Sequence, residues 1–124
     1  MNDMADRKIL VVDDSATDRT NLHGILTDEG CTVITACSGR EALHKARMER
    51  PHLIFMDIVM EDMDGYEATR RLTQHDDTKG IPVVFVSSKR QKADRVWAMM
   101  QGGRDLISKP FRREQIIAQL RVDG

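Results

Sequence analysis

The residues best suited to chemistry in this sequence are three carboxylates, Asp13, Asp14 and Asp57, a hydroxyl, Ser87, and an ammonium, Lys109. Each stands just past a short apolar run. An Asp in such a place is commonly a turn residue or a helix cap. That explanation covers any one of them but not the convergence of all five on one rim. Two carboxylates ~4 Å apart repel by roughly 4 kcal/mol at an effective dielectric near 20. Three at one rim therefore either raise a pKa or hold a divalent ion. Mg²⁺ fits better than Ca²⁺, because it takes one or two carboxylates, keeps several waters and completes its shell with phosphate oxygens. No thiolate or imidazole is placed to select zinc or copper. A metal with open positions beside a lysine and a hydroxyl suits phosphoryl transfer. Asp57, alone at the end of its strand, is the candidate nucleophile. Asp13 and Asp14 would then hold the ion, while Lys109 and Ser87 bind phosphoryl oxygens.

The elements that must position these groups alternate between two periods. Apolar, β-branched runs at Lys8 to Val12, Thr32 to Ala36, Leu53 to Met56, Pro82 to Val86 and Asp105 to Ser108 predict strands. Several are almost continuously apolar, as in parallel strands covered on both faces. Between them lie helical spacings. The first carries Leu22, Ile25 and Leu26 and stops at Gly30. The second opens with Ser38 and Glu41 in capping-box spacing, presents Ala42, Leu43 and Ala46, and ends before Pro51. The third runs from Gly65 through Leu72, the fourth shows Ala93, Val96, Trp97 and Met100 before Gly102, and the fifth carries Ile116, Ile117 and Leu120. Five βα units predict an α/β fold, a doubly wound parallel sheet with right-handed crossovers. A chain this size suggests the flavodoxin-like (βα)5 order 2-1-3-4-5, with ligands outside the carboxyl ends of the strands, between the first and third.

Composition narrows the function. The chain has 124 residues and a formal net charge of −1, which lacks the basic footprint of a nucleic-acid binder. The longest apolar runs, such as Ile9 to Val12 and Val96 to Met100, fall far short of the ~20 residues of a spanning helix. The start, with Asp3 and Asp6, has no signal-peptide pattern, so a cytoplasmic protein is expected. Cys31 and Cys37 match neither a redox pair nor a zinc half-site and read as free thiols. Nothing divides the chain, so residues 1–124 are expected to form one domain with its core at about 8–120.

Val11-Val12-Asp13-Asp14-Ser15, Met56-Asp57-Ile58-Val59-Met60 with Met63-Asp64-Gly65-Tyr66, Pro82 through Ser88, and Ser108-Lys109-Pro110-Phe111 together resemble the receiver domain of bacterial two-component response regulators. The resemblance implies that Asp57 accepts a phosphoryl group from a phosphohistidine on a histidine kinase. It also implies that Asp14, Asp57 and the backbone carbonyl of Val59 bind Mg²⁺ directly, that Asp13 acts through water, and that the Lys109–Pro110 bond is cis. Ser87 and Lys109 fill the hydroxyl and lysine positions of the motif. Ser87-Ser88-Lys89, Arg95-Val96-Trp97 and Gln101 to Asp105 further resemble the stand-alone, chemotaxis-like receivers of type IV pilus twitching motility. The implied partners are a chemotaxis-like histidine kinase and an effector protein of the motility machinery, with no nucleic acid and no membrane.

The sequence also departs from that pattern. Leu106 stands where receivers usually place Tyr or Phe, which puts the usual switch in doubt. Glu61 replaces a common proline, expected to loosen the loop carrying Val59. Arg112 stands where Ser or Thr often caps the last helix, at a cost of about 1 kcal/mol. The chain stops at Gly124, so no output domain is expected. Val59 can neither orient nor activate water, which predicts slow self-dephosphorylation. Arg95, Met99 and Leu106 are candidates for the partner face, although Met99 and Leu106 read equally well as marginal core. Trp97 reads as core packing, Met56, Met60 and Met63 as filler, and Arg112-Arg113 as solvated charge. Competing functions are a phosphate sink draining a shared kinase, a phosphohydrolase of the haloacid-dehalogenase type, and flavin binding. The phosphohydrolase needs a second Asp where Val59 stands, and at a flavin site Asp13 and Asp14 would repel phosphate.

Overall fold

The computed structural model describes residues 6–122, so Asp3 and the end at Gly124 lie outside the described residues. Strands β1 (Lys8–Val12), β2 (Thr32–Ala36), β3 (Leu53–Met56), β4 (Val83–Ser87) and β5 (Asp105–Ser108) alternate with helices α1 (Ala16–Asp28), α2 (Gly39–Glu49), α3 (Gly65–Thr73), α4 (Lys92–Met100) and α5 (Arg113–Leu120). The strands form one parallel sheet in the order β2-β1-β3-β4-β5. The expected flavodoxin-like α/β fold is therefore the observed one. β4 sits one residue later than its apolar run, because Pro82 has no N–H to donate while Ser87 pairs with Ser108.

The strand period of two divides the core into two layers. Leu10, Val12, Ile54, Met56, Phe85 and Leu106 face Ala42 and Ala46 of α2, Tyr66, Ala68 and Leu72 of α3 and Ala98 of α4. Their neighbours Ile9, Val11, Phe55, Val84, Val86 and Ile107 face Leu22, Ile25 and Leu26 of α1 and Ile116 and Leu120 of α5. Phe55 and Phe85 are fully buried, and each such side chain contributes about 1.5–3 kcal/mol by leaving water. Phe85 also meets Tyr66 edge to face, with ring centroids 5.1 Å apart. Met56, Met60 and Met63 fill the first layer, as their soft, unbranched side chains allow. With α1 and α5 on one face and α2, α3 and α4 on the other, the winding reverses after β1. That reversal opens the sheet's carboxyl edge between β1 and β3.

Helix ends follow their sequence signals with small variations. Gly30, at φ 92°, closes α1 in the left-handed region. The Ser38 hydroxyl accepts from the Glu41 N–H at 3.1 Å, but the Glu41 carboxylate reaches the N–H of Cys37, at 2.7 Å, rather than that of Ser38. That bond holds the Glu41 carboxyl below its ordinary range. At α5 the Arg112 side chain supplies no capping bond, yet the Gln115 carbonyl oxygen accepts from the Arg112 N–H at 2.7 Å and recovers half of the cap. Arg113 is not merely solvated, since it pairs with Asp28 of α1 at 3.4 Å.

The outer face of α4 overturns one expectation. Trp97 is 50% exposed, with Val96 at 55% and Met100 at 69%, so the indole is not core packing. Ala98 is the buried residue of α4, and Met99 lies partly buried against the first layer. Helical spacing alone cannot say which of two apolar stripes faces the sheet.

Candidate functional site

Strand ends build the site. β1 and β3 are the two strands flanking the reversal, and their carboxyl ends deliver Asp13 with Asp14 and Asp57, respectively. Ligand oxygens of Asp13, Asp14 and Asp57 all lie within 4.8 Å of one another. Asp13 is 1% exposed and Asp57 7%, whereas Asp14 faces solvent. The backbone holds them firmly: the Asp57 N–H donates to the Val12 carbonyl at 2.9 Å, and the Asp13 N–H to that of Ala36 at 3.1 Å. One Asp57 oxygen, Oδ1, accepts from the Ile58 N–H at 2.9 Å. Burial, and then the charge of Asp13, push the Asp57 carboxyl up to about 7, although Lys109 pulls the other way.

Lys109 enters from the end of β5. Its Nζ lies 2.9 Å from Asp13 Oδ2, 2.8 Å from Asp18 Oδ2 and 3.8 Å from Asp57 Oδ2. Burial disfavours its charge, but the hydrogen bonds to Asp18 and Asp13 and the charge of Asp57 outweigh that and hold its pKa above the ordinary lysine range. Ser87 is fully buried at the end of β4, and its hydroxyl accepts from the Lys89 N–H at 3.3 Å. The loops after β4 and β5 are laced together. The Lys109 N–H donates to the Ser87 carbonyl at 2.7 Å, the Ser108 hydroxyl to the Lys89 carbonyl at 2.8 Å and Arg90 to the Lys109 carbonyl at 2.8 Å. The Lys109–Pro110 bond is cis.

The three acids and Lys109 thus meet at one edge, and Ser87 is tied to Lys109 through the backbone. Val59, two residues past Asp57, turns its side chain to solvent at 62% exposure. Of the residues read as a partner face, Arg95 is exposed and pairs with Asp105 at 2.6 Å, Met99 is partly buried, and Leu106 is 6% exposed within the first core layer. Sequence reasoning missed Asp18. An acid in a first helical turn reads as a partner of the helix dipole, and only the fold brings it to Lys109.

An all-oxygen set of three clustered carboxylates matches a small hard cation that retains water. No helix among the described residues is long and apolar enough to cross a membrane.

The model of the response regulator receiver domain matches residues 9–121. Protein PilH of Pseudomonas aeruginosa is 41% identical over 110 residues, 89% of this chain and 91% of that protein. Protein PilG of the same bacterium is 34% identical over 93% of this chain and 85% of its own length. Among solved structures, chemotaxis protein CheY4 of Vibrio cholerae superposes with a TM-score of 0.86 at 30% identity, covering 93% of this chain and 96% of that one. A CheX–CheY–BeF3–Mg²⁺ complex from Borrelia burgdorferi gives 0.85 at 27% identity, covering 92% and 86%. Matched along nearly all of its sheet and helices, the chain belongs to the response regulator receiver domain family.

Proposed function

We propose that this chain is a phosphoacceptor that takes a phosphoryl group from the phosphohistidine of a histidine kinase onto Asp57 and signals by protein contact. The observation that carries the reading is the placement of the Lys109 ammonium 3.8 Å from Asp57 Oδ2, where it also meets the carboxylates of Asp13 and Asp18. In the transfer an Asp57 carboxylate oxygen attacks phosphorus, the P–N bond to the donor imidazole breaks, and the nitrogen keeps the electron pair and takes up a proton. Lys109 would neutralise charge on the phosphoryl oxygens, and the Ser87 hydroxyl would donate a hydrogen bond to one of them. Asp14, Asp57 and the Val59 carbonyl would hold Mg²⁺, with Asp13 acting through water. The ion, when bound, neutralises charge on the transferring group. Asp57 must be ionised to attack, and with its pKa raised to about 7 a neighbouring cation would increase the ionised share at neutral pH.

Likeness to PilH, PilG and a chemotaxis protein supports a chemotaxis-like kinase as donor and a motility effector as receiver of the signal. On this reading the protein works in the cytoplasm, as a switch acting on itself rather than an enzyme acting on others. Leu106, aliphatic and enclosed by the first core layer, favours a second reading in which the protein drains phosphate from a shared kinase. The deciding experiment is incubation with Mg²⁺ and a small phosphodonor, read by intact mass. Wild type gains one phosphoryl group and Asp57→Ala gains none; equal gain in both removes Asp57 from its role.

A further inference from the structure

Asp18 has been freed from the duty its position suggests. It is the third residue of α1, where an acid ordinarily reaches back to the N–H of the capping residue. Here that N–H, of Ser15, donates instead to Asp13 Oδ1 at 2.9 Å, while the Ser15 hydroxyl accepts from the Asp18 N–H at 3.3 Å. The Asp18 carboxylate is thereby left to extend across the edge of the sheet. It accepts from Lys109 Nζ at 2.8 Å, the shortest contact that ammonium makes, 91 residues away in the chain. Lys109 stays a full ångström farther from Asp57, at 3.8 Å. Asp13 is 1% exposed and fixed by its backbone neighbours, whereas the Asp18 side chain is 35% exposed and can turn toward water. Of the two carboxylates gripping the lysine, Asp18 is the one able to let go.

We infer that Asp18 is a positioning residue that competes with a phosphoryl group on Asp57 for the Lys109 ammonium, holding the lysine back until that group arrives. Three phosphoryl oxygens beside Asp57 need a cation within hydrogen-bonding distance. To provide it, Lys109 must shorten its separation from Asp57 and give up Asp18. An anion at position 18 also repels the incoming phosphoryl oxygens. Both effects favour the unphosphorylated state and keep the switch off in the absence of a donor.

The inference rests on the phosphoacceptor reading above, and the test separates the two. Beryllofluoride, a mimic of the aspartyl phosphate, is titrated at saturating Mg²⁺ by fluorine NMR into wild type, Asp18→Asn, Asp18→Ala and Asp18→Glu, with Mg²⁺ affinity measured separately. Asp18→Asn and Asp18→Ala are expected to bind beryllofluoride roughly fivefold more tightly, the scale of a partly exposed ion pair. The same variants bind Mg²⁺ more weakly, because the site has lost a negative charge, while Asp18→Glu stays near wild type on both counts. Opposite movement of the two affinities is a result that a merely structural helix cap would not produce. If beryllofluoride affinity in Asp18→Asn equals or falls below that of wild type, Asp18 has no such role even though the protein is a phosphoacceptor. If no protein in the series binds beryllofluoride, both readings fall together.

Discussion

Replacing Asp57 by Asn should stabilise the metal-free protein, and by an amount that depends on pH. The Asp57 carboxyl moves from 3.8 in the unfolded chain to about 7 in the folded one, chiefly through burial and then through the Asp13 charge. Well below pH 3.8 it is protonated in both states and adds no penalty, and near pH 4 the penalty is still small. Between about 4 and 7 the unfolded chain releases a proton that the folded chain keeps, so stability falls as pH rises, and above 7 the loss is complete. At 1.36 kcal/mol for each tenfold change the loss reaches at most about 4 kcal/mol. An amide in the same place lacks the charge but must find new hydrogen-bond partners, at a cost of about 1 kcal/mol. The net expectation is about 1–3 kcal/mol, or a melting temperature roughly 4–12 °C higher for a chain of this size. Circular dichroism melts in chelator at pH 4 and pH 8 supply the comparison: no gain at pH 4 and the full gain at pH 8. Adding Mg²⁺ at a hundred times its dissociation constant raises wild type by about 2.7 kcal/mol and narrows the gap. An Asp57→Asn protein with the same advantage at both pH values, or none at pH 8, would refute the account of a crowded, desolvated carboxylate.

Other substitutions probe the surroundings. A Cβ at Gly65 would collide with the carbonyl oxygen of Asp57, a backbone atom that cannot step aside. Gly65→Ala should therefore cost about 3 kcal/mol in urea melts and weaken Mg²⁺ binding with it. Val59→Asn lies at an exposed position and should leave stability within about 0.5 kcal/mol. It should shorten the lifetime of the aspartyl phosphate measured by decay of intact mass, and an unchanged lifetime would count against the role given to Val59. Phe85→Ala removes a fully buried ring, with an expected cost of about 3–5 kcal/mol. Trp97→Ala, from the outward side of α4, should cost less than about 1 kcal/mol in the same melts.

How much could be read in advance follows from where the information resides. β1, β3 and β4 announce themselves because strands buried on both faces must be apolar throughout, and that pattern has few other uses. The acids and lysine follow, since parallel strands carry their succeeding residues to a common edge. Asp18 was invisible, because its meeting with Lys109 depends on how α1 lies against the loop after β5, which no local spacing encodes. Trp97 misled for a related reason. A helix with apolar residues on two stripes has two plausible inward faces, and the choice belongs to its packing on β4 and β5. Asp62, at φ 66°, is a non-glycine in the left-handed region, and Asp is among the residues that tolerate it, so composition alone raised no flag.

The three hydrogen bonds that lace the β4 and β5 loops have a mechanical consequence. Ser87 and Lys109 cannot be displaced one at a time. Whatever draws the ammonium inward also tugs the chain leading into α4, whose outward side carries Val96, Trp97 and Met100. A pull at the acidic rim would thus become a tilt of that oily ridge, some distance away, without any ring having to rotate at position 106.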